Sequence, residues 1–177
     1  IQDNKLYIYE VDHSVIDKYD GDLYIFIPFG YIFDEVDIDN NAGRVEIDGL
    51  KTGELSLELG AGKVNMSNIE VYEKMDINGG AGSIKIDNAN INNLDMDMGA
   101  GKTQISGYLK GNNKIDAGVG TLILELFDDD YKISVDKGIG KATYNGQDIN
   151  SDEVYGNGYN NVIIDGGIGS IKISTKR

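Results

Sequence analysis

Apolar residues return along this chain in a short pattern that repeats about every twenty residues. The pattern is numbered here from the second glycine of a recurring Gly-x-Gly, taken as zero. Those glycines fall at 43, 62, 82, 101, 120, 140 and 169, in steps of 19, 20, 19, 19, 20 and 29, with Asn41-Ala42-Gly43 a degenerate first copy. Position −7 holds Val36, Leu55, Met75, Leu94, Asn113, Ile133 and Val162, and position −5 holds Ile38, Leu57, Ile77, Met96, Ile115, Val135 and Ile164. Position +2 holds Val45, Val64, Ile84, Thr103, Leu122, Ala142 and Ile171, and position +4 holds Ile47, Met66, Ile86, Ile105, Leu124, Tyr144 and Ile173. Position −1, inside the glycine pair, holds Ala42, Ala61, Ala81, Ala100, Val119, Ile139 and Ile168, and +7 adds Leu50, Ile69, Ala89, Tyr108 and Phe127.

Spacing by two is the strand period with one face buried. With position −1 counted as inward, the parity slips between −1 and +2 and again between +4 and +7. A straight strand cannot slip and keep its apolar residues on one side, so the chain turns there, and glycine allows the turn. Each repeat reads as two or three short strands joined by corners, one coil of a solenoid. The expectation is an all-β, single-domain β-solenoid (β-helix) of about seven coils of 19–20 residues. It is right-handed by the general handedness of β-crossovers. Rungs about 4.8 Å apart share one core, and the end coils need caps.

Residues 1–35 lie off the pattern and are expected to form an N-terminal cap, with residues 36–177 as the solenoid. The predicted cap carries Tyr24-Ile25-Phe26-Ile27-Pro28-Phe29, including the one proline of the chain. The long last step comes from an inserted loop at 145–161, polar and glycine-rich, which holds Tyr155 and Tyr159 as candidate binding residues.

Composition narrows the function. Net charge is −14, which repels phosphate backbones, so nucleic acid is not expected as a partner. There is no cysteine and one histidine, His13, so thiol chemistry, a histidine triad and a multi-histidine metal site lack material. No apolar run is long enough to span a membrane as a helix. The chain begins at Ile1, and an export signal or membrane anchor upstream is expected.

Two columns of outward side chains are expected beside the glycine corner. Position −4 is acidic, and Asp97, Asp116 and Asp136 are its candidate cation ligands. Position +1 is partly basic, with Lys63, Lys102 and Lys141 as candidate binding residues that also offset the acids. Gly99-Ala100-Gly101-Lys102-Thr103 imitates a phosphate loop, but Met96 stands where that loop needs its first glycine, and strand follows where it needs a helix. No catalytic residue stands out from the repeat, and no cofactor is implied.

The copies Gly60-Ala61-Gly62-Lys63-Val64, Gly80-Ala81-Gly82-Ser83-Ile84 and Gly167-Ile168-Gly169-Ser170-Ile171 resemble a bacterial family of unknown function with β-strand repeats, catalogued as adhesins. The resemblance covers about residues 34–177. It implies a β-helix-like fold on an exported or membrane-anchored segment, and some relatives are linked to envelope stress. The expected function is a non-enzymatic cell-surface or cell-envelope module that binds a protein or glycan, with self-association through its end caps as a further expectation. The alternatives are a polysaccharide-active enzyme working with paired carboxylates and an envelope-stress regulatory scaffold.

Overall fold

A computed structural model describes residues 23–151 and 153–176. Residues 1–22 of the expected cap lie outside the described residues. Among the described residues, twelve strands and no helix make the fold. They are β1 (Phe33–Asp48), β2 (Lys51–Ser67), β3 (Glu70–Asn92), β4 (Leu94–Lys110), β5 (Asn112–Asp116), β6 (Val119–Leu126), β7 (Tyr131–Asp136), β8 (Ile139–Tyr144), β9 (Gln147–Asp148), β10 (Val154–Tyr155), β11 (Asn160–Asp165) and β12 (Ile168–Thr175).

The repeats stack as parallel tiers in a single solenoid-like sheet, with equivalent positions in register. Leu57 pairs with Ile77, Ile77 with Met96, and Met96 with Ile115, and all four are buried. Positions −7, −5, +2 and +4 fill the interior in every tier. Each fully buried aliphatic side chain contributes about 1.5–3 kcal/mol of transfer free energy. The first tier falls short: Phe33, Val36, Ile38, Val45 and Ile47 are half-buried, because no described strand covers the outer edge of β1, and Tyr144 of the sixth repeat is half-buried as well.

The glycine corner forms because backbone meets backbone there. Gly101 has φ +140, and a Cβ on it would collide with the carbonyl oxygen of Gly82 one tier below. The second corner uses asparagine: Asn68 and Asn88 have φ of 56 and 53. Their side chains form a ladder, Asn68 donating to Asp48 Oδ1 at 2.8 Å and Asn88 to Asn68 Oδ1 at 2.6 Å.

Two inward positions expected from the sequence point outward instead. Position −1 sits at the apex of a convex corner, so its side chain radiates into solvent: Val119, Ile168 and Ile139 are 51%, 54% and 74% exposed. The interior place belongs to position −3, where Met98 and Ala117 are buried and Leu59 is half-buried. Tyr108 is also exposed. The second corner of β4 is one residue shorter than that of β3, so Ala89 pairs with Gly107 and Tyr108 aligns with outward-facing Asn90.

The tiers do not stack in chain order after the fifth. β11 pairs with β5 on one side and β7 on the other, and β12 lies between β6 and β8 in the same way. The last repeat is therefore intercalated between the fifth and the sixth. The segment 145–161 carries the chain back to that slot. On the way, β9 and β10 pair antiparallel with β8 and β7 and cover the outer edge of that end of the stack.

Two buried polar groups fit the splice. Asn113, in an otherwise apolar slot, accepts from Leu94 N–H at 3.1 Å and donates to Asn161 C=O at 3.0 Å, bridging tiers that are distant in sequence. Where the chain leaves β6 to skip a rung, the buried Tyr131 hydroxyl accepts from Leu109 N–H at 3.2 Å.

Gly101→Val is expected to cost about 3 kcal/mol or more, since the obstructing atoms are backbone. Thermal unfolding followed by circular dichroism should fall by about 6 °C or more, and a shift under about 2 °C would show that the corner yields. Burial pushes the Tyr131 phenol well above its usual value. The folded state thus keeps this proton as pH rises past the unfolded pKa near 10, and its contribution to stability is lost from there upward. Tyr131→Phe should cost about 1–3 kcal/mol at neutral pH by orphaning Leu109 N–H. In urea titrations it should also lose stability less steeply than the parent above about pH 10.

Candidate functional site

The chemistry-bearing residues gather around the glycine corner, which aims neighbouring positions onto different faces. Position −4 lies before the turn, and its members align tier on tier: Asp39, Glu58, Asn78, Asp97, Asp116, Asp165, Asp136. Asp116 and Asp136, successive in sequence, are separated in space by Asp165. Two of the candidate cation ligands have local work. Asp116 Oδ1 accepts from Gly118 N–H at 3.3 Å, and Asp136 Oδ1 from Gly138 N–H at 3.2 Å, each steadying its own turn. Among the described residues no three acidic, histidine or cysteine side chains converge as a metal site.

Position +1 begins the next face. Lys63 and Lys102 are exposed and make no ion pair among the described residues. Arg44 approaches Glu46 at 3.7 Å, and Lys141 meets Asp148 of β9 at 2.9 Å. No ion pair among the described residues joins the acidic column to the basic one, because the corner turns them apart. The pairs form along the sides instead: Lys51–Glu70 at 2.7 Å, Lys74–Asp76 at 2.6 Å, and Lys85–Asp87. Thr121 and Ser170, adjacent in the column, hydrogen-bond at 3.2 Å.

Tyr155 and Tyr159 part company. Tyr155 is half-buried, its ring 5.8 Å from that of Tyr144. Its hydroxyl donates to Glu153 at 2.7 Å and accepts from Asn150 N–H at 3.0 Å, so it holds the end of the stack together. The bond to Glu153 raises the Tyr155 phenol and lowers the Glu153 carboxyl. Tyr159 is 92% exposed, and its backbone N–H donates to Asp130 Oδ1 at 2.9 Å.

The feature missing from the sequence reading lies on the corner's apex. Val119 pairs with Ile168, and Ile168 with Ile139, so three exposed β-branched side chains stand on consecutive rungs. They continue an alanine line, Ala42, Ala61, Ala81 and Ala100, into a raised apolar ridge. Position −1 grows from alanine to valine and isoleucine over the last three repeats, but the sixth repeat also shrinks at +2 to Ala142, so side-chain size alone did not tell inside from outside.

Beneath the corner of the second to fourth tiers is a hollow of about 30 Å³, lined by Leu59, Ile84, Met98 and Thr103, too small for a sugar ring. Among the described residues, the carboxylates held away from their ordinary value are lowered: Asp48 by Ser67 and Asn68, Glu70 by Lys51 and Tyr72, and Glu153 by Tyr155 and Asn150. A glycosidase acid needs the opposite displacement. Calcium titrated into chelator-treated protein is expected to give no heat beyond dilution. A saturable heat that disappears in Asp97→Asn would instead establish a cation site on the acidic column.

Comparison with curated proteins and with solved structures returned no match. Residues 5–157 match the Toastrack DUF4097 family, a domain family of unknown function, and the match stops just short of the intercalated tier. Set beside an all-β ladder built on glycine corners, that match over most of the chain means that the protein belongs to the Toastrack DUF4097 family.

Proposed function

We propose that this chain is a non-enzymatic interaction module of the cell envelope or cell surface, an adhesin-like β-solenoid carried outside the cytoplasm on an upstream anchor. We read the tiers as seven right-handed coils, a shape that keeps its outer columns at fixed spacing. The observation that carries the reading is the ridge of Val119, Ile168 and Ile139 at the apex of a rigid corner. A contiguous exposed apolar patch rimmed by polar residues favours contact with a partner. Thr121, Ser170 and Lys141, next along the chain from the three ridge glycines, supply hydroxyls and a cation for a protein or glycan surface.

A second reading, a regulatory scaffold that binds or self-associates through its N-terminal end, rests on different residues. Tyr24, Phe26 and Phe29, in the segment that leads into β1, are 72%, 91% and 109% exposed, and no other described strand than β2 pairs with β1. Retention of the purified protein on intact cells of its source and on a glycan array separates the two. Ile139→Ser with Ile168→Ser should weaken retention about tenfold or more with the melting temperature unchanged. If that variant binds like the parent while Phe26→Ser with Phe29→Ser does not, the N-terminal end is the contact surface and the ridge reading fails.

A further inference from the structure

The intercalated tier is held entirely by chain remote from it. β11 and β12 pair with β5 and β6 about fifty residues back and with β7 and β8 about thirty residues back. Lys176 N–H reaches Leu126 C=O at 2.9 Å, and Ala117 N–H reaches Asp165 C=O at 2.8 Å. Val162, Ile164, Ile171 and Ile173 are all buried. The tier's only covalent link to the preceding strand is Gly156-Asn157-Gly158-Tyr159. There Gly156 has φ +79 and Tyr159 is almost wholly exposed.

We propose that two copies of this chain exchange residues 160–176, each tier filling the slot between the fifth and sixth tiers of the other copy. The slot accepts the partner's tier with the same register, hydrogen bonds and buried side chains as its own. The closed monomer and the exchanged dimer therefore differ only in the conformation of the 156–159 link and in the cost of association, and concentration decides between them. The slot, rather than the end of the stack, is the receptive place. A tier that leaves it uncovers two parallel edges at once, whereas the outer edges of β7 and β8 are already partnered by β10 and β9. The family match ends at residue 157, inside this link.

The chain has no cysteine, so one engineered pair reports the topology without ambiguity. Thr143 and Lys172 are register partners on β8 and β12, a spacing that a disulfide or a short bis-maleimide spans. Thr143→Cys with Lys172→Cys is unfolded, refolded over roughly a hundredfold range of concentration, separated by size and oxidised. The expected result is a dimer fraction that grows with concentration and runs at dimer length on a denaturing gel without reductant, while the monomer fraction stays at monomer length. Absence of dimer at every concentration, or a dimer whose links all lie within one chain, overturns the proposal. Should that pair fail to fold by circular dichroism, Ile123→Cys with Lys172→Cys places the same report on the opposite side of the slot, with the same two outcomes.

Discussion

Everything in this fold depends on the distance at which one backbone can pass over another at the corner. Gly101 lies over Gly82 so closely that no side chain fits between them, and the equivalent glycines of the other tiers repeat the contact. Hydrogen bonding fixes the spacing of the ladder, glycine lets the corner keep it, and that spacing aligns every other column. Interior residues then meet like residues above and below, which is why Leu57, Ile77, Met96 and Ile115 lie in one line although about twenty residues separate each from the next. The same convexity throws position −1 outward, so the corner that closes the core also builds the exposed ridge.

The intercalated tier is compatible with this scheme because a parallel ladder is indifferent to chain order. Any repeat with the right parity can lie beside any other, and Val162 pairs as well with Asn113 as with Ile133. Specificity comes from the places where the ladder is interrupted. Asn113 replaces an apolar side chain with one that both accepts and donates, serving tiers on either side. Tyr131 brings a hydroxyl to a backbone N–H that the departing chain has left bare. Asp128-Asp129-Asp130 stands at positions +8 to +10, where the second tier's link to the next has Glu70-Val71-Tyr72, and strand ends there at Leu126 instead of carrying the chain to the adjacent rung. Buried polar groups of this kind are costly unless fully partnered, so they favour the one order that satisfies them.

Much of the architecture was legible because the repeat is written in side-chain chemistry of period two, punctuated by glycine. The slots at −7, −5, +2 and +4 could be read directly and are buried or half-buried in every tier. What could not be read is what periodicity does not encode. Alternation inside Gly-x-Gly looks the same whether the middle residue points in or out, and only the convexity of the corner decides. Tyr108 was misplaced by a single missing residue at the second corner of β4. The adjacency of Ile139 and Ile168, and hence the ridge, was hidden because it depends on tier order, and so was the separation of Asp116 from Asp136.

These details bear on function more than the regular part does. In the first four tiers the apex is alanine, flush with its glycines, and presents little to a partner. The apex becomes large only at Val119, Ile168 and Ile139, the three rungs that the splice brings together. The same stretch of chain that closes the end of the stack with β9 and β10 also delivers Ile168 to the middle of the ridge. Closing the fold and assembling its exposed apolar surface are thus two consequences of one strand arriving out of order.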